Sequence, residues 1–287
     1  MSTTVYGEGI PRGSFARVSE TFTVPCPELL FLELASVMDR AALELLGYEL
    51  CGTFVRDATN PRTGGVVHEV APLTNVAKIK GYVRSCRRVK GRERALAALE
   101  NVRDNAWSAM EALVALVLVR PLEDDGFGIR NIELNAQELI GRELRPWVTN
   151  KARVPDISLG DLPVGLNYDG YGHLDLSSID VERLEKDELK AALARVREKY
   201  VDDLRRNREL LASGRIVLPI VAEDLMELGG LDSVVLEAVI AAEQLAGASG
   251  ETGAATRRAL EQPHATRRQR LIWSLYPWAG GISLGNY

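Results

Sequence analysis

A chain of 287 residues with 46% hydrophobic and 26% charged positions is long enough to bury a sizeable core, and that balance excludes wholesale disorder. Its formal charge of −5 argues against a surface that attracts phosphates everywhere. No apolar run approaches the roughly 20 residues that span a bilayer, and the opening MSTTVYGEGIPRGSF lacks the apolar stretch of a signal or transit peptide, so no membrane partner is expected. Cys26, Cys51 and Cys86 lie far apart without C-x-x-C spacing, which suits reduced thiols in a cytoplasm and argues against structural zinc.

The first half reads as helical. In CPELLFLELASVMDRAALELLGYEL, Leu30, Leu34, Val37, Met38, Ala41 and Leu45 recur at helical spacing, Pro27 suits a first turn, and Gly47 is the expected stop. A loop-rich stretch follows, punctuated by Asn60-Pro61 and Gly64-Gly65. TNVAKIKGYVRSC and RERALAALENVRD predict two amphipathic helices joined by a basic linker around Lys90 and Gly91. From Lys78 to Arg94, eight basic residues stand against one acid, Glu93. Smaller basic knots are Arg205, Arg206 and Arg208, and Arg267, Arg268 and Arg270. Solvated helix faces explain any one knot, whereas three in an acidic protein also fit a nucleic-acid surface.

WSAMEALVALVLVRP places Ser108 and Glu111 at capping-box spacing before a run apolar enough to be a buried central helix, which Pro121 stops. After a glycine-rich acidic loop, a mainly helical first module, residues 1–148, is expected to end near RPWVTN.

The second module, 149–287, changes character. VPDISLGDLPVGLNYDG predicts two short strands around a Gly160-Asp161 turn. A long helix follows, on which Leu189, Leu193, Val196, Tyr200 and Leu204 trace one face, with Gly214 as its stop. RIVLPIV is a third strand, and a helical tail completes the chain. The expected fold class is therefore α/β (α+β): a helical module, then a mixed sheet flanked by helices.

One constellation carries chemistry. Asp156 opens the first strand, while Asn167 and Asp169, two apart and so on one face, close the second. Mg²⁺ takes hard oxygen ligands, often one or two carboxylates, and lowers the pKa of a bound water. His173 stands four residues on, where a proton could be exchanged near neutrality. The plainer readings are a turn at Asp169-Gly170, an Asn167 that satisfies backbone groups at a strand end, and an Asp203–Arg206 surface pair.

The order PD…NYDGYGH…D-x-x-R…L…G-x-x-V, from Asp156 through Asp203 and Arg206 to Gly214 and Val217, resembles the very-short-patch-repair (Vsr)-like branch of the PD-(D/E)XK nuclease fold. More specifically, it is similar to bacterial proteins classed with AbiEi-type antitoxins, and PRGSF…PCPELLFLELAS…LGYELCGTF and SAMEALVALVLVRP extend the likeness over about Pro11 to Val221. The resemblance implies Asp156 and Asp169 as ligands of Mg²⁺, with Asn167 and His173 completing a catalytic set. Asn167 stands where that family carries a carboxylate, which implies weak or lost cutting. DNA is the implied partner, with Arg206 positioning phosphate or bracing the site, while the basic run supplies Arg84, Arg87, Arg88 and Lys90 as candidate DNA contacts. The alternative is a non-catalytic AbiEi-type antitoxin and transcriptional regulator, or a protein-interaction module, with a protein toxin as the candidate partner. The three histidines are otherwise scattered, and no phosphate-binding glycine loop or nucleophile elbow is present.

Overall fold

The structure, a computed structural model, describes residues 9–160, 162–169, 186–246, 251–261 and 263–276. The chain divides into two compact units, Met1–Arg120 with Ser274–Tyr287, and Pro121–Trp273. The division falls at Pro121 and not near residue 148, because a two-residue strand at Glu133–Leu134 already pairs with the second unit's sheet.

In the first unit a hairpin of β1 (Phe15–Arg17) and β2 (Thr23–Pro25) leads into α1 (Pro27–Leu34) and α2 (Arg40–Leu50). The single helix expected over this stretch is two, because Asp39 caps the second. Its Oδ1 accepts from the main-chain N–H groups of Ala41 at 2.9 Å and Ala42 at 3.4 Å. A second hairpin, β3 (Phe54–Arg56) and β4 (Val66–His68), precedes α3 (Val76–Ser85), α4 (Arg92–Leu99) and α5 (Ala109–Val119).

Ser108 caps α5 by accepting from Glu111 N at 3.1 Å, and the helix is buried along its length, as its composition requires. Phe31, Leu32, Leu43, Ile79, Val83 and Leu99 form the core between α1, α2, α3 and α4. One charge is interred with them. Glu44, fully buried, pairs with Arg120 and with Arg40 at 3.1 Å, and takes a hydrogen bond from Asn101 Nδ2 at 2.8 Å.

The second unit is mixed α/β. Its main sheet has the order β10–β9–β8–β5, built from β5 (Glu133–Leu134), β8 (Ile157–Ser158), β9 (Val164–Asp169) and β10 (Ile216–Val221). A small separate pair joins β6 (Glu138–Leu139) to β7 (Ala152–Arg153). β9 runs parallel to β10, and the connection between them contains α6 (Lys186–Ala212). Pro219, which lacks a donor, is tolerated because β10 lies at the sheet edge.

α6 stops in a Schellman motif. Gly214 takes φ +81°, Arg215 N–H reaches Leu210 O at 2.9 Å, and Gly214 N–H reaches Leu211 O at 3.0 Å. α7 (Ala222–Met226), α8 (Gly230–Ala246), α9 (Glu251–Ala259) and α10 (His264–Leu275) complete the unit, and α6, α7 and α8 all pack on β10. Arg268 of α10 is fully buried. It pairs with Asp232 at 2.6 Å, donates to the carbonyls of Gly126 and Ala259, and stacks over Phe127 at 3.8 Å. No described helix is long and apolar enough to cross a membrane.

Candidate functional site

Two places inherit the candidate residues, one in each unit. The first is the end of the β8–β9 pair. Ile157 faces Leu166 in that antiparallel ladder, so the next positions outward are Asp156 and Asn167. There the side chains replace the ladder. Asn167 Oδ1 accepts from the Asp156 main-chain N–H at 2.9 Å, and Asp156 Oδ2 accepts from the Tyr168 main-chain N–H at 2.7 Å. The Asp156 carbonyl takes the N–H of Asn135 at 2.9 Å, which ties the end of β5 to the same point.

Asn167 is 3% exposed, and its Nδ2 is buried with no hydrogen-bond partner. Asp169 ends β9 beside Val221, half-buried, whereas His173 lies outside the described residues. The strands thus do bring Asp156 to Asn167, but as clips on main-chain donors.

Mg²⁺ does not fit this set as folded. One Asp156 oxygen already accepts a short main-chain bond, and the Asn167 oxygen is turned to a backbone N–H while its amide presents hydrogens. Among the described residues, no three His, Cys, Asp or Glu side chains come together in a way that could hold a metal ion.

Arg206 pairs with Asp203 at 3.0 Å, one turn away on α6. Arg267 pairs with Asp125 at 2.7 Å, and the buried Arg268 with Asp232. Those two basic knots are thereby partly neutralised within the fold.

The basic segment of the first unit behaves differently. Between α3 and α4 the chain turns through residues 86–91, with Cys86 and Val89 directed into the core and Arg87, Arg88 and Lys90 outward. The turn is held firmly. Arg87 N–H bonds to Gly9 O at 2.9 Å, Arg88 adopts φ +58°, and Gly91 adopts φ +89°. A Cβ on Gly91 would meet Ser36 N at 2.9 Å and Leu32 O at 3.0 Å, so the turn lies directly on the end of α1.

Around it opens a groove of about 720 Å³ lined by Arg84, Arg87, Arg88, Arg92 and Arg94, with Glu93 as the single acid among the described residues of its lining. Arg92 and Arg94 are braces. Arg92 Nε donates to Cys86 O at 3.1 Å and its Nη1 pairs with Glu93, while Arg94 Nη2 donates to Met38 O at 2.6 Å. Arg84, Arg87 and Arg88 are exposed, and among the described residues no carboxylate or carbonyl takes a bond from their side chains. Burial pushes the Cys86 thiol up, so this wall residue is a neutral thiol. Beside it Tyr82, hydrogen-bonded to Ser14 Oγ at 2.6 Å, is pushed up to about 12, chiefly by burial.

Residue counting along the segment finds Arg84, Arg87, Arg88 and Lys90 but gives Arg92 and Arg94 no distinct role. The signal for their bracing is Gly91, which starts α4 without a side-chain cap and lets the turn approach α1. Comparison with protein-family models, with curated proteins and with solved structures found no match for the chain.

Proposed function

We propose that this protein binds the phosphate backbone of nucleic acid at the α3–α4 groove and does not cut it. The observation that carries the reading is the groove itself: three guanidinium groups that find no partner among the described residues, on a turn that two further arginines hold in place. A guanidinium fork matches phosphate oxygens in charge and geometry, and clustered cations gain most from a polyanion. Among the described residues the groove lining holds no aromatic side chain on which a base could stack, which favours backbone contact over base reading.

Within this reading the second unit is a PD-(D/E)XK-like scaffold whose Asp156 and Asn167 hold strands instead of metal. The hydrogen bonds from Asp156 N–H and Tyr168 N–H support that division of labour. A DNA-binding, non-catalytic regulator of the antitoxin type is the role that combines both units.

Fluorescence anisotropy with a labelled duplex across a salt series tests it. Three phosphate contacts give a log–log salt slope of about −2.7, or roughly 40-fold weaker binding from 50 to 200 mM salt. Arg87→Ala/Arg88→Ala should reduce the slope to about −0.9. Absence of binding at low salt, or a slope that the double variant leaves unchanged, overturns the reading.

A further inference from the structure

We propose that Gly9–Ser14 is a strap that pre-forms the arginine groove, with Ser14 and Tyr82 as positioning residues for Arg87 and Arg88; this role rests on the reading of the groove as a phosphate site. Arg88 shows the need for one. It carries an exposed guanidinium on a backbone of φ +58°, a left-handed conformation that a non-glycine residue keeps only where its surroundings enforce it. The enforcement reaches the turn from far along the chain. Arg87 N–H bonds to Gly9 O at 2.9 Å, and a Cβ on Gly9 would stand 2.8 Å from Arg87 O, so the two backbones touch immediately before Arg88. Ile10 follows, packed on the helical core.

Ser14 fixes the far end of the strap. It is buried, its carbonyl takes Cys26 N–H at 2.8 Å, and its Oγ donates to Pro11 O at 2.5 Å. With its one proton directed to Pro11, Ser14 Oγ is the acceptor of the 2.6 Å bond from Tyr82 OH. Tyr82 stands on the last turn of α3, and its carbonyl takes Cys86 N–H at 3.2 Å where the chain leaves the helix. One hydroxyl thus ties the strap to the helix end from which the turn departs. Ser14 and Tyr82 carry no charge to a phosphate; they keep Arg87 and Arg88 presented beside Arg84 before a ligand arrives. When the strap is displaced, Arg88 relaxes out of its left-handed conformation and the cluster separates. Binding must then re-form the turn, and the apparent dissociation constant rises as the seated fraction falls.

Anisotropy of the labelled duplex with the full chain reads the effect. Tyr82→Phe and Ser14→Ala should each raise the dissociation constant about fivefold, the effect of one net hydrogen bond, and leave the salt slope of the parent unchanged because no charge is lost. The Ser14→Ala/Tyr82→Phe double variant should bind no more weakly than either single one, since both remove the same bond. Gly9→Ala, which presses on Arg87 O and leaves that bond in place, should also weaken binding. Tyr48→Phe is the control for a purely structural loss: it removes a buried hydroxyl bond of the same unit, to Asn101 O at 2.8 Å, and should bind like the parent. Hydrogen exchange at the Arg87 amide should be about fivefold faster in Tyr82→Phe than in the parent, and at the parental rate in Tyr48→Phe. If the parent binds with its expected slope while Tyr82→Phe binds as tightly, exchanges Arg87 no faster, or is matched in its loss by Tyr48→Phe, the strap has no positioning role and the phosphate reading stands. If the parent itself shows no salt-dependent binding, the phosphate reading falls and the positioning role falls with it.

Discussion

Asp156 and Asn167 hold each other's strand by the main chain: the amide oxygen of Asn167 takes the N–H of Asp156, and the carboxylate of Asp156 takes the N–H of Tyr168. Two side chains thus continue a ladder that otherwise ends at Ile157 and Leu166. The arrangement leaves one orphan, the buried Asn167 Nδ2. An unmet buried donor costs about 1–3 kcal/mol, which the two main-chain bonds offset.

Replacing Asn167 by Asp, the residue type expected in a cutting site, should therefore harm the protein. The bond to Asp156 N–H would survive, but a second carboxylate would enter a site 3% exposed, close to that of Asp156. Two like charges near 4 Å repel by up to about 4 kcal/mol at an effective dielectric of 20. Asn167→Asp should lose about 2–4 kcal/mol in urea titration at pH 7. The parent protein should show no rise in melting temperature with Mg²⁺ and no nicking of plasmid DNA in Mg²⁺ or Mn²⁺. An Asn167→Asp variant as stable as the parent would mean that the pocket tolerates a second charge.

What could be read from the chain alone depended on how local the cause was. Ser108 at the start of α5 and Gly214 after α6 act within one turn, and their residue types announce them. The basic run from Lys78 to Arg94 becomes a groove because a six-residue turn folds it on itself, so composition sufficed to find it. The split at Asp39 was also local, but hydrophobic spacing that runs through both helices masked it. Asn167 was different. That it satisfies backbone groups at a strand end is one reading of its residue type, but its partner depends on the β8–β9 register, which the two-residue β8 is too short to reveal by alternation. Periodicity on α6 likewise reports an apolar face without saying what covers it.

The buried carboxyl of Glu44 makes a prediction about pH. Burial raises it above its ordinary value of 4.5, against the opposing pull of Arg120 and Arg40. A carboxyl held above its unfolded value keeps its proton longer in the fold. Its contribution to stability is full below the unfolded value and is lost as pH rises through the folded one. The stability of the parent relative to Glu44→Gln should therefore fall as pH rises beyond 4.5 in a series of urea midpoints. A lead that instead grows with pH would mean that attraction to the two arginines outweighs burial.

Neighbouring arginines on α10 should respond very differently to substitution. Arg268 is fully buried and its fork serves Asp232, Gly126 O and Ala259 O at once, a geometry that a lysine cannot reproduce. Arg268→Lys should cost several kcal/mol, and Arg268→Ala about 3–5 kcal/mol, because Asp232 is left without its partner. Arg267, 45% exposed in its pair with Asp125, should change stability by less than about 1 kcal/mol when replaced by Ala. Chemical denaturation of the three variants side by side checks the contrast. Equal losses at both positions would refute the assignment of Arg268 to the core.

Gly91 and Gly13 separate backbone strain from close packing. Both have positive φ, +89° and +82°, which an L side chain adopts at a cost of about 1 kcal/mol. At Gly13 no described residue lies within 4 Å of an added Cβ, so Gly13→Ala should lose only that much. At Gly91 the Cβ would also press on Ser36 N and Leu32 O, which are backbone atoms of a packed helix end and cannot swing aside. Gly91→Ala should therefore cost at least about 2–3 kcal/mol, and it should weaken nucleic-acid binding without removing a single charge, since the turn carrying Arg87 and Arg88 must lift off α1. Thermal denaturation and anisotropy measured on the same two variants test this together. If Gly91→Ala binds with full affinity, the groove does not depend on the seating of its turn, and the bracing role given to Arg92 and Arg94 fails with it.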